Sequence, residues 1–163
     1  MKVCGIIGWE NSGKTNLIER LVAELTARGF AVSTIKHAHH SCDVDHEGKD
    51  TYRHRQAGAN EVILASRARF ALMHEIRDEQ EVTLETLLSK LSPVDLVLVE
   101  GFKKGHHKKI EAHRKETGQP LLAQNDLHIC AVASDTALTI DRPVFGLDDA
   151  VSIADFIIME MGL

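Results

Sequence analysis

Short runs of consecutive apolar residues alternate along this chain with stretches in which apolar positions recur every three or four residues. Residues 3–7 form a continuous apolar run rich in β-branched side chains, as in a strand buried on both faces. Leu17, Ile18, Leu21, Val22 and Leu25 follow at helical spacing, and Gly29 stands where a left-handed residue would end that helix. Residues 30–35 read as a second strand. Strand, helix, strand in this order predicts a right-handed βαβ unit and a parallel sheet.

The next stretch, residues 37–49, is polar and reads as a loop. Asp50 is placed to cap a short helix running to about Ala57, with Gly58 behind it. Residues 61–65 and 69–73 predict an antiparallel hairpin with a tight turn. Thr83 is placed to cap a helix carrying Leu84, Leu87, Leu88 and Leu91, which Pro93 ends. Residues 96–99 are four apolar residues in a row, the pattern of a central strand. Residues 100–109 read as a loop rich in glycine and lysine, with a short strand before Arg114. Strands at 129–133 and 144–145 and an amphipathic helix over 150–161 complete the chain. With no internal repeat or low-complexity linker, the expectation is one α/β domain over residues 1–163: a mostly parallel sheet flanked by helices, with an antiparallel hairpin.

The first strand runs into Gly8-Trp9-Glu10-Asn11-Ser12-Gly13-Lys14-Thr15, which fits G-x-x-x-x-G-K-[ST] without substitution. Each position has a task. Gly8 and Gly13 allow conformations that a side chain would obstruct. Asn11, Ser12 and the neighbouring backbone N–H groups line a phosphate cradle. Lys14 reaches the β- and γ-oxygens, and the Thr15 hydroxyl binds Mg²⁺. Asn16 continues into a helix whose positive end adds to the field. The context of strand before and amphipathic helix after is what the motif requires.

Such a site takes a second oxygen donor from a neighbouring strand end. Glu100, at the carboxyl end of the 96–99 run and ahead of Gly101, is that candidate, because ligands bind at this end of parallel sheets. Asp95 would lie at the opposite end, about 15 Å away. Asp50, or Asp45, is a further metal candidate from the loop after the second strand. His37, His39 and His40 open that loop, and three readings fit them: a phosphate-side loop, a softer metal such as Zn²⁺, or hydrogen-bonded surface histidines.

Two more features bear on ligands. Residues 103–109 hold four lysines, a local positive patch or a solvated loop. Asp135 follows the 129–133 strand, where a carboxylate can accept from guanine N1–H and the 2-amino group. A turn or capping aspartate fits the same position.

Composition narrows the functions. A net charge of −5 argues against general polyanion binding, and a single Trp and a single Tyr leave little for stacking single-stranded nucleic acid. Three scattered cysteines without a C-x-x-C pair fit a reducing cytoplasm. The first apolar run is too short for a leader or a membrane span, so no membrane partner is expected.

Four segments together, 8–15, 35–59, 95–103 (DLVLVEGFK) and 131–135 (AVASD), resemble the molybdopterin-guanine dinucleotide biosynthesis adapter proteins (MobB) over nearly the whole chain. The resemblance implies a GTP-binding P-loop fold, a homodimer and slow GTP hydrolysis at most, with no catalytic residue assigned. It implies a partnership with the guanylyltransferase that joins GMP to molybdopterin, and help in delivering nucleotide or pterin to it. Nucleotide contacts map onto Gly13, Lys14 and Thr15, with Glu100 as the acidic strand end. Two rivals share the P-loop. A nickel- or zinc-delivery GTPase would use the histidines, and a small-molecule kinase would use the basic loop as a lid.

Overall fold

In the computed structural model, which describes residues 1–38, 44–77 and 81–163, the apolar runs become parallel strands. The elements are β1 (Lys2–Ile7), α1 (Lys14–Ala27), β2 (Val32–Lys36), α2 (Asp50–Gln56), β3 (Glu61–Ala65), β4 (Phe70–His74), α3 (Leu84–Ser89), β5 (Leu96–Glu100), β6 (Lys109–His113), β7 (Ile129–Ser134), β8 (Val144–Gly146) and α4 (Ala150–Met161). Six strands form one sheet in the order β2-β5-β1-β6-β7-β8, every pairing parallel. β3 and β4 make a separate antiparallel pair. The chain divides into two compact units. Met1–His37 with Leu84–Leu163 carries the six-stranded sheet, and Ala38–Thr83 carries α2 and the hairpin.

Both faces of the central strands are buried, which is why β1 and β5 read as apolar runs. On β5, Leu96 and Leu98 join the core under α1 and α4, while Val97 and Val99 join Leu84, Leu88 and Leu91 on the other face. α1 buries Leu17, Ile18, Leu21 and Leu25, the helical stripe of the sequence. α4 buries Ile153, Ala154, Ile157 and Met161 beside it. Arg28, ion-paired to Glu24 and Asp155, ties the two helices at the surface.

α1 ends as expected at Gly29 (φ 92°). Gly29 N–H donates to Thr26 O and Phe30 N–H to Leu25 O, the paired bonds of a Schellman motif. Phe30 is thereby spent on the helix end and packs on the core, so β2 starts at Val32 and not at residue 30. α4 is capped by Asp149, whose carboxylate accepts from Ser152 N–H at 3.0 Å. In the smaller unit, Lys49 and not Asp50 holds the capping position of α2; Asp50 is its first helical residue, exposed, where a negative charge suits the helix dipole. The hairpin turns through Ser66 N–H to Arg69 O, and leaves Ile63, Leu64 and Phe70 exposed. No helix among the described residues is long and apolar enough to cross a membrane.

Candidate functional site

The site grows from the ends of two adjacent strands. Register pairs Ile6 of β1 with Glu100 of β5, and Lys36 of β2 with the same Glu100. β1 therefore delivers its glycine loop beside the acidic end of β5. Glu100 is nearly buried, its side chain 13% exposed. The Thr15 hydroxyl donates to its Oε1 at 3.5 Å, and the Lys36 amine lies 3.4 Å from the same oxygen. Thr15 and Glu100, two of the three residues read from sequence as Mg²⁺ donors, thus meet in the larger unit. The third, Asp50, belongs to the smaller unit. Asp45, its alternative, accepts from Thr51 Oγ1 at 2.9 Å and pairs with Arg55.

The loop has the conformation its glycines allow. Gly13 sits at φ 93° as the residue before α1, and Gly8 at φ 151° brings the chain so close that a Cβ there would lie 2.3 Å from Ala112 O. Asn11 is also left-handed, at φ 60°. The first intrahelical bond of α1 runs from Leu17 N–H to Gly13 O, so the N–H groups of Lys14, Thr15 and Asn16 have no helical acceptor. Ser12 is buried, and among the described residues its Oγ has no hydrogen-bond partner. Buried polar atoms in folded proteins are ordinarily paired, and this hydroxyl, the free N–H groups and the glycine cradle together fit an anionic phosphate chain.

Lys14 extends along the loop and donates to Trp9 O at 2.6 Å. Burial lowers its affinity for a proton; the negative charge of Glu100 works against this, and Lys103 and Lys36 add to it. Its ammonium is therefore partly desolvated, a state that an anionic ligand would relieve.

The basic segment is less positive than its sequence suggests. Lys109 is the first residue of β6 and is buried. Its amine donates to Lys103 O at 2.8 Å and Gly105 O at 2.6 Å, and pairs with Asp126 at 2.6 Å. Lys108 pairs with Glu160 at 2.6 Å. Of the four lysines, Lys103 and Lys104 have no anionic partner among the described residues, and Lys103 lies 4.7 Å from the centre of the Trp9 ring. His106 meets the His128 ring nitrogen at 3.2 Å. His37 stacks on Phe102 with centroids 4.4 Å apart. His39 and His40, the rest of the metal triad read from sequence, lie outside the described residues.

Asp135 stands past β7, and its Oδ1 accepts from Lys115 N–H at 2.9 Å. That bond ties it to the 3₁₀ turn Lys115–Thr117 after β6. The sequence reading counted Arg114 only with the basic patch and missed Glu116; both line a cavity with Trp9, Glu10 and Asn11 of the phosphate loop. The signal was available, since charged residues just past the carboxyl end of a parallel strand are placed like Glu100.

The sequence profile described as molybdopterin guanine dinucleotide synthesis protein B, MobB, matches residues 3–135. Two proteins named molybdopterin-guanine dinucleotide biosynthesis adapter protein are similar over most of their length. That of Escherichia coli is 44% identical over 94% of this chain and 89% of its own, and that of Haemophilus influenzae 45% over 94% and 85%. Among solved structures, Bacillus subtilis MobB is similar at a TM-score of 0.76 with 26% identity, over 99% of this chain and 98% of that one.

Proposed function

The chain belongs to the MobB family, and we propose that it is a GTP-binding adapter of molybdopterin guanine dinucleotide biosynthesis. In this reading it works in the cytoplasm as a homodimer, holds GTP with Mg²⁺, and assists the guanylyltransferase that joins GMP to molybdopterin. It hydrolyses GTP slowly at most. The observation that carries the nucleotide half is the meeting of Lys14, Thr15 and Glu100 at the carboxyl ends of β1 and β5, around a loop with a buried, unpartnered Ser12 hydroxyl. The residues fit their ligands. The loop N–H groups, Ser12 and Lys14 suit phosphate oxygens, while Thr15 and Glu100 supply the hard oxygen donors that Mg²⁺ takes. Bound Mg²⁺ would supply charge neutralisation along the phosphates. Lys14 would hold the β- and γ-oxygens, and Lys36 would orient Glu100. The names of the relatives support the adapter half, and the exposed apolar side chains of β3 and β4 support a self-associating surface.

Two measurements test the halves separately. Calorimetric titration with GTP should show Mg²⁺-dependent binding, and Thr15→Val or Glu100→Gln should each weaken the Mg²⁺ dependence; persistence of that dependence in both variants would displace the metal from this pair. For the adapter half, purified guanylyltransferase should be retained by the immobilised protein and should form dinucleotide faster in its presence. No retention and no change in rate would refute it.

A further inference from the structure

Beside the phosphate loop, the larger unit holds a cavity of about 520 Å³. That volume is in the range of small-molecule sites. One wall is Trp9 to Asn11, which follow β1. The other is the turn after β6, with Arg114, Glu116 and Gln119. Both walls are fixed. Trp9 Nε1 donates to Pro120 O at 2.8 Å, Thr117 Oγ1 to Arg114 O at 2.8 Å, and Lys115 N–H to Asp135 at 2.9 Å.

On this fixed turn two opposite charges stand unused. Among the described residues, the Glu116 carboxylate and the Arg114 guanidinium have no hydrogen-bond or ion-pair partner, and they do not pair with each other. The contrast with Glu111, five residues upstream, is direct. Glu111 is fully buried and spends both oxygens, on Leu122 N–H at 2.9 Å and Ala123 N–H at 2.8 Å. Asp135 spends one of its two on the turn itself. Glu116, like Glu10 on the facing wall, is therefore a carboxylate beside the phosphate loop with both oxygens available among the described residues, and of the two it is the one on the turn that carries Arg114, whose guanidinium lies near enough to Gly13 that a Cβ there would be 3.2 Å away.

A planar ligand edge that offers two adjacent N–H donors and a neighbouring carbonyl complements a carboxylate next to a guanidinium. Guanine has this edge in N1–H, the 2-amino group and O6. A pterin has the same 2-amino-4-oxopyrimidine edge. Adenine instead presents a lone pair at N1. We propose that this cavity binds the 2-amino-4-oxopyrimidine edge of guanine or of a pterin, with Glu116 accepting the two N–H donors and Arg114 donating to the carbonyl. The choice of these two heterocycles rests on the function proposed above; the complementarity itself does not.

Calorimetric titrations with GTP, ATP and the soluble pterin neopterin, on wild type, Glu116→Gln and Lys14→Ala, test it. Neopterin is added both to free protein and to protein saturated with GTP. Glu116→Gln should lose about ten- to a hundredfold in affinity for the heterocycle the cavity reads, with ATP affinity unchanged. Neopterin that competes with GTP makes the cavity the base site, and neopterin that binds GTP-saturated protein makes it a separate pterin site; either supports the proposal. Glu116→Gln that binds all three within about twofold of wild type overturns it, as does a wild type with neither a GTP-over-ATP preference nor neopterin binding. A wild type that binds triphosphate no better than Lys14→Ala would end the nucleotide reading alone, and the neopterin titration would still decide the cavity.

Discussion

Single charges in this protein divide into those spent on the fold and those held in reserve. Lys14 is in reserve. Its burial disfavours the proton it carries, and Lys103 and Lys36 disfavour it further. Lys14→Ala should therefore leave the thermal midpoint within about 2 °C of wild type, or raise it. The same change should cost triphosphate affinity about ten- to a hundredfold, the worth of a charge-assisted contact. A melting scan and a GTP titration on one sample give both numbers, and a large loss of stability would make Lys14 a structural residue. His107 is spent on the fold. Its Nε2 is buried without a partner, and a Cβ on Gly5 would meet it at 2.6 Å. Burial, and then the positive charge of Lys109, lower its proton affinity below the ordinary value of 6.5, while Asp126 and Glu85 oppose this. The unfolded chain therefore binds this proton at a higher pH than the folded one does. Stability from His107 is full above about 6.5 and is lost as pH falls from there toward the lower folded value. Denaturant unfolding at stepped pH should show wild type losing more stability on acidification than His107→Gln; parallel profiles would refute the assignment.

At the scale of elements, β6 anchors two loops of the larger unit. Lys109 at its start anchors residues 103–105 through two carbonyls and Asp126, and Glu111 in its middle caps the 3₁₀ turn Leu122–Gln124. Lys109→Met strips Asp126 of its cation and frees the loop that places Lys103 over Trp9. It should cost about 3 kcal/mol, the low end for breaking a buried pair, because Asp126 keeps some solvent. The only tryptophan should report the change, since the Lys103 amine lies 4.7 Å from the centre of its ring. A variant with wild-type stability and emission would show that the anchor is dispensable. This element also marks the limit of sequence reading. β1, β5, α1 and α4 were legible because both sheet faces and one helix face are apolar, and Glu100 was legible because a strand end fixes its position. β6 reads Lys-Ile-Glu-Ala-His, and all five residues are buried. Its polar groups are satisfied by Asp126, by the N–H groups of Leu122 and Ala123, and, at His113, by Ser134. Partners that far along the chain leave no local pattern, so Lys109 reads as part of a basic loop. Residues 30 and 31 read as strand for the converse reason: Phe30 is apolar, but the Schellman bonds claim it for the helix end.

For the whole molecule, the consequence of the site is linkage between ligand and folding. β1, α1 and β5 lie in the unit Met1–His37 with Leu84–Leu163, and so do Lys14, Thr15 and Glu100. A ligand that binds only the folded site adds about 2.7 kcal/mol at a hundred times its dissociation constant. For a chain of this size, that raises the midpoint by roughly 5–11 °C. On the function proposed above the increment should need Mg²⁺, and Lys14→Ala, with binding weakened about ten- to a hundredfold, should cut it to about 0.4–1.4 kcal/mol at the same GTP concentration. Hydrogen exchange places the effect. The N–H groups of Lys14, Thr15 and Asn16, which lack helical acceptors, should exchange more slowly with GTP and Mg²⁺ present, and so should the end of β5. A midpoint that rises without slower exchange at the loop would put the nucleotide elsewhere on the protein. An unchanged midpoint at a hundredfold excess would mean that the glycine cradle, the buried Ser12 hydroxyl and the desolvated lysine hold no triphosphate.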